Sequence, residues 1–267
     1  MRKRWLPAVL ILAVIIPAGL VLYLRAPDEP RYDGKPLGYW LKAYNPLHAT
    51  ETSRQQADKA VAEVGTNAIP TLLKMLQARD SPLKLKLAAA AQWLHLTNRD
   101  FQDAERKQEC AAAAFAALGG RARGAVPALI ALYERNISAT SRTYILLTLW
   151  NLGPAAREAG PLLVRWTATG DYPNISIFSA WRTVHPAPES AMPVLLKLLT
   201  NSSPRIRLQA ADILPLYAPA ALEALPALDN LRRYDPDGYV RETADSAHER
   251  LKPGSSIIPQ GGYRRVR

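Results

Sequence analysis

The sequence predicts an all-α chain: an α-solenoid of stacked helix pairs, period 32–34 residues, after an N-terminal transmembrane helix. Three observations carry this expectation. Twenty uncharged residues lie near the N-terminus, an Ala-rich pattern ending in a proline recurs five times behind them, and the apolar spacing after each proline is helical. Composition agrees. Of 267 residues 48% are hydrophobic, which supports a real core and excludes wholesale disorder. Three Phe and three Met beside abundant Ala and Leu point to close helix packing rather than a sheet sandwich.

The first element is the span from Trp5 to Leu24, 20 residues without a charge. As a helix rising about 1.5 Å per residue it reaches roughly 30 Å, the thickness of a bilayer's hydrocarbon core. Pro7 is tolerated near its start, whereas Pro17 would kink it. Arg2, Lys3 and Arg4 precede the stretch and only Arg25 follows closely, which places the N-terminus in the cytoplasm. The competing reading is a cleaved signal peptide and a secreted product. The apolar run is long for that, and no small-x-small cleavage site follows Leu24. In both cases the body is exported.

Residues 1–25 are therefore read as a signal-anchor, 26–52 as linker and first helix, 53–251 as the repeat array and 252–267 as a flexible basic tail. The +11 formal charge divides accordingly. The two ends hold eight basic residues and no acids, leaving 26 basic against 23 acidic residues in the body, a net of +3. A body so nearly balanced does not carry the footprint of a nucleic-acid binder.

The repeated segments read VGTNAIPTLLKML (64–76), LGGRARGAVPALIALY (118–133), LGPAAREAGPLLVRWT (152–167), VHPAPESAMPVLLKLL (184–199) and YAPAALEALPALDNLR (217–232). Their prolines, Pro70, Pro127, Pro161, Pro193 and Pro226, are spaced 57, 34, 32 and 33 residues apart. The regular spacing is that of a two-helix unit, and the long one leaves room for an extra helix near 81–107. Each proline belongs in the first turn of a first helix, where its missing N–H costs little. Ile145, Leu146, Leu149 and Leu152 mark a second helix stopped by Gly153-Pro154, and the same alternation gives second helices at 174–184, 204–217 and 238–251; Pro215 should bend or end the one at 204–217. Period-two alternation is never sustained, so no strand is expected.

Aligning units on the residue that ends the second helix brings Arg54, Gln108, Arg142, Asn174, Arg207 and Arg241 into one slot. Six residues before the slot, in the turn between helices, stand Asn136, Asn201 and Asp235, with Ala168 in the unit of Asn174. With these features the units resemble HEAT repeats in the proline-containing form of bacterial proteins, and YDGKPLGYWLKAY from Tyr32 looks like the start of membrane-anchored HEAT-repeat proteins. The resemblance covers about 32–251. It implies a ladder of turn acid and slot arginine, formed by Asn136, Arg142, Asn201, Arg207, Asp235 and Arg241; Asp235 with Arg241 keeps both expected residues, and Ala168 with Asn174 departs. It specifies architecture, since such arrays serve many functions.

No catalytic constellation emerges. His48, His95, His185 and His248 are scattered, without HExxH, GxSxG, a P-loop or a dinucleotide fingerprint. His185 takes the helix-ending slot held by Gly119 and Gly153, so a turn role is expected. A single cysteine, Cys110, excludes a disulfide framework and any multi-cysteine metal site; in its Ala-rich helix it reads as a buried small hydrophobe. Asp235 and Asp237 read as a capping turn rather than a calcium loop, and Glu105, Arg106, Lys107 and Glu109 as a solvated helix face. Trp166 and Trp181 are expected in the core. Trp150 aligns with Ala116 and Arg182 beside the core slot, which makes it the candidate partner anchor.

These readings give a membrane-tethered scaffold for protein–protein interaction outside the cytoplasm. It has no catalysis of its own, no cofactor, metal or small-molecule substrate, no nucleic-acid partner, and a membrane contact through residues 5–24. The alternative is an enzyme or enzyme subunit of the HEAT-like lyase or glycosylase type, for which no acid–base pair is found.

Overall fold

The computed structural model describes residues 29–45, 49–82, 85–86, 90, 103–172 and 176–252, and most of these are helical. The membrane span expected at 5–24, the tail from 253, His48 and Asn174 lie outside the described residues. So does most of the segment 81–107 where an extra helix was expected; of its described residues Pro82, Leu85, Lys86, Ala90 and 103–107 are helical.

The chain begins with a small departure from expectation. Arg31–Tyr32 (β1) and Lys35–Pro36 (β2) form an antiparallel hairpin, although no strand was expected. The cause is the two-residue turn: Asp33 and Gly34 both take positive φ, 49° and 70°, which is the Asp-Gly hairpin geometry. A short helix, α1 (Leu37–Leu41), follows and buries Leu37 and Leu41.

Helices then alternate between two kinds. First helices are α3 (Ile69–Leu76), α5 (Val126–Glu134), α7 (Gly160–Thr169), α9 (Pro188–Leu198) and α11 (Leu225–Tyr234). Second helices are α2 (Glu51–Val64), α4 (Asp103–Leu118), α6 (Ala139–Leu152), α8 (Ser176–Val184), α10 (Pro204–Ile213) and α12 (Gly238–Leu251). Pro70, Pro127, Pro161 and Pro226 sit in the first turn of their helices, as the pattern predicts. Pro193 does not. It lies inside α9, because Pro188 starts that helix earlier. Pro215 ends α10 as expected: the helix stops at Ile213 and tightens into a 3-10 turn over Leu214–Tyr217.

Starts and stops have local causes. Thr50 and Ser53 cap α2 reciprocally, Ser138 accepts from the Ser141 amide at 3.0 Å to cap α6, and Asp237 caps α12. The residue after each of four second helices turns the chain with positive φ: Gly65 at 62°, Gly119 at 54°, Gly153 at 53° and His185 at 54°. His185 thus fills a turn position, as its alignment with the glycines predicts. Its ring stacks on Tyr217, 4.6 Å between centroids, and its Nε2 lies 3.0 Å from the Leu216 carbonyl oxygen.

Second helices meet in chain order. α4 packs on α2 and α6, α6 on α8, and α12 on α10, while each first helix packs on the second helix of its pair. One cluster of buried side chains runs from Leu37 to Leu251, with Phe115, Phe178 and Trp181 fully enclosed. Gly160 brings α7 close to the next turn, where a Cβ would stand 3.3 Å from the Pro186 Cα.

Among the described residues one helical run, Asp103–Glu134, is long and apolar enough to cross a membrane. A core helix passes the same test. This run is interrupted at Gly119 by positive φ and a 3-10 stretch, and both of its halves pack on α6 inside the helical array.

Candidate functional site: arginine rungs and an exposed tryptophan

Arg207, on the first turns of α10, makes the best-formed polar contact of the slot. Its Nε and Nη2 each donate at 2.7 Å to a different carboxylate oxygen of Asp235, which lies in the turn of the following pair. Its Nη1 donates to its own turn, at 2.8 Å to the Asn201 carbonyl oxygen and 3.1 Å to that of Ser202. The side chains of Arg207 and Asp235 are only 10% and 2% exposed, so this is a bidentate ion pair taken out of water. The Asp237 amide also donates to Asp235, at 2.9 Å, which completes the turn.

Arg142 makes a second rung with a different partner from the one the register suggests. Its Nη2 donates to the carbonyl oxygen and to Oδ1 of Asp171, at 2.5 and 2.6 Å, and not to Asn136. Asn136 instead ends its turn in left-handed backbone, φ 47°, and its side chain has no hydrogen-bond partner among the described residues. The acid falls out of register because α7 runs on to Thr169, so that Ala168 lies inside the helix and not in the turn. Gly170 in left-handed conformation caps α7 and delivers Asp171 three residues after Ala168, the position the register assigned. Aromatic rings support this rung. The Arg142 guanidinium lies 4.2 Å from the Tyr133 ring centroid, Tyr133 stacks on Trp166 at 3.9 Å, and the Tyr133 hydroxyl donates to the Asp171 carbonyl oxygen at 2.8 Å.

The remaining slot residues differ. Arg241 donates Nη1 to its own turn, at 2.7 Å to the Asp235 carbonyl oxygen and 3.2 Å to that of Pro236. Buried Gln108 reaches the Ala78 carbonyl oxygen at 2.9 Å, across the inserted segment. Asn201 serves its own turn, accepting from the Ser203 amide at 2.9 Å. Between α8 and α10 another contact, not foreseen from the sequence, takes over: Arg182 pairs with Asp212.

Hydrogen bonds from Arg207 hold the Asp235 carboxyl below the ordinary carboxylate range, against the opposing effect of its burial, and the Asp237 amide adds to the lowering. A folded-state value below the unfolded one stabilises the fold above about pH 4, and that stability is lost as the pH falls through the folded value. Urea midpoints measured from pH 7 down to pH 2.5 should therefore fall more steeply below pH 4 for the wild type than for Asp235→Asn. Parallel curves would show that Asp235 does not contribute to acid unfolding.

Trp150 lies in the last turn of α6 at the solvent, 38% exposed, and its carbonyl oxygen accepts from the Thr183 hydroxyl at 3.0 Å. Trp166 and Trp181 are buried as expected, and Trp181 Nε1 donates to the Thr167 hydroxyl oxygen at 3.0 Å. Cys110 is buried, and burial pushes its thiol up to about 11. Among the described residues no three His, Cys, Asp or Glu side chains gather where they would hold a metal ion. The chain matches no protein-family model, no curated protein and no solved structure.

Proposed function

We propose that this chain is a HEAT-repeat α-solenoid, tethered to the membrane by residues 5–24, that binds another protein outside the cytoplasm. The observation that carries the reading is the rung itself. A slot arginine on one second helix holds an aspartate in the turn of the next pair, once at Arg207–Asp235 and again at Arg142–Asp171. Rungs of this kind fix the stacking of consecutive pairs and leave their outer faces free for a partner. Trp150 is the anchor of choice on the second-helix row, since its neighbours Tyr144 and Leu147 are uncharged and only partly buried. The near balance of charge in the body fits a protein partner better than a polyanion.

Two measurements test this. A photo-crosslinking residue placed at Trp150 in the full chain, irradiated in intact cells, should yield one discrete covalent adduct; a lack of adducts there and at Tyr144 and Leu147 would overturn the scaffold reading. Protease added to intact spheroplasts should digest residues 26–267. Protection until lysis would overturn the extracytoplasmic placement.

A further inference from the structure

Arg207 and Arg241 stand at the same place in successive pairs, and half of their chemistry is identical. Each gives Nη1 to the carbonyl oxygens six and five residues back: Asn201 and Ser202 for Arg207, Asp235 and Pro236 for Arg241. The other half differs. In Arg207 the Nε–Nη2 edge grips both oxygens of Asp235. In Arg241, an exposed side chain, the Nε–Nη2 edge has no acceptor among the described residues. The guanidinium is already oriented by its own turn, and its planar fork matches a carboxylate.

We propose that Arg241 is an open rung, and that its free edge receives an Asp or Glu carboxylate carried on a turn of a partner protein, as Arg207 receives Asp235. The surroundings select this occupant. Tyr234 and Tyr239 bracket the same turn and are each 73% exposed, and Tyr beside Arg is the pairing that anchors protein interfaces. Asp237, Glu242, Asp245 and Glu249 leave this end without surplus positive charge, which favours one positioned carboxylate over a phosphate or an acidic run. The exposed side of α12, with Glu242, Asp245, Ser246 and Glu249, is polar and ends the core rather than extending it. In sequence the residue six before Arg54 is His48, so the repeat register of a second copy supplies no acid. Residues 252–267 contain no Asp or Glu side chain.

The site rests on the interaction reading above, and its test is separate from it. The probe is a capped peptide of residues 234–241, YDPDGYVR, which carries the aspartate that fills the internal rung. It is titrated into the detergent-solubilised full chain while the Nε–H resonances of labelled arginines are followed. The Arg241 signal, assigned by its absence in Arg241→Lys, should shift on binding. The peptide should bind about tenfold more tightly than its Asp235→Asn counterpart, the size of one charge-assisted hydrogen bond. In Arg241→Gln, with an unchanged circular dichroism spectrum, that preference should vanish. Equal affinity of the two peptides for the wild type overturns the proposal without needing any variant to fold. So does a preference that survives in Arg241→Gln. A discrete crosslinked partner at Trp150 with no peptide preference would remove this site alone and leave the scaffold reading standing.

Discussion

Arg207→Ala is expected to destabilise the chain by about 3–5 kcal/mol, the cost of leaving one member of a buried ion pair without its partner. The Asp235 side chain is 2% exposed, and Arg207 supplies both of its charged contacts; only the Asp237 amide remains once the guanidinium is gone. The carbonyl oxygens of Asn201 and Ser202 lose a donor as well. Arg241→Ala removes only the bonds to its own turn from an exposed side chain, so about 1 kcal/mol is expected. Arg233, outside the slot and paired on the surface with Asp229, should matter least. Urea midpoints at pH 7 should fall in the order Arg207, Arg241, Arg233, with the largest loss first. The double replacement Arg207→Met with Asp235→Leu should recover much of the first loss, because the buried charge goes with its partner. Equal midpoints for Arg207→Ala and Arg233→Ala would make the slot an ordinary surface position.

The helical architecture was legible because prolines and turn residues punctuate it. A proline best tolerated in a first turn, repeated at spacings of 34, 32 and 33 residues, marks the first helices, and three of these four prolines sit in the first turn. Gly119, Gly153 and His185 share an alignment position and share positive φ, so the turn role of a histidine followed from its glycine equivalents. Two prolines in one first helix blur its start. Pro188 captured the start of α9 and left Pro193 inside it. The hairpin at 31–36 depends on Asp33-Gly34 alone, too short a segment for alternation to register.

The rungs were legible as residue types and less so as partners. Sequence placed Arg207 and Asp235 in repeating positions, but spacing does not tell a bond to the same turn from one to the next. The structure divides the guanidinium between both, with Nη1 on its own turn's carbonyls and the Nε–Nη2 edge on the next turn's carboxylate. Asp171 escaped notice because α7 runs through Ala168, and an acid placed beyond Gly170 falls out of register while remaining in reach. Arg182 escaped for a related reason: its alignment with Trp150 and Ala116 describes a place on the helix and says nothing of Asp212 across the gap.

Trp181→Ala is the second large effect, and its contrast with Trp150→Ala separates core from surface. Trp181 is fully buried in α8, and its Nε1–H is satisfied by the Thr167 hydroxyl at 3.0 Å. Truncation removes the whole indole from a close-packed interior and leaves a cavity, which costs about 3–5 kcal/mol. Thr167 keeps its own bond to the Leu163 carbonyl oxygen at 2.7 Å, so the loss is chiefly one of packing. Trp181→Phe should therefore fall between the wild type and Trp181→Ala. Because α8 packs on both α6 and α7, the damage should reach both neighbouring pairs and broaden the unfolding transition. Trp150, 38% exposed at the end of α6, makes no comparable enclosure, and Trp150→Ala should cost under about 1 kcal/mol. Urea melts with far-UV circular dichroism of the three variants measure the difference. A loss at Trp150 as large as that at Trp181 would make its indole a structural wedge and remove it as the proposed partner anchor.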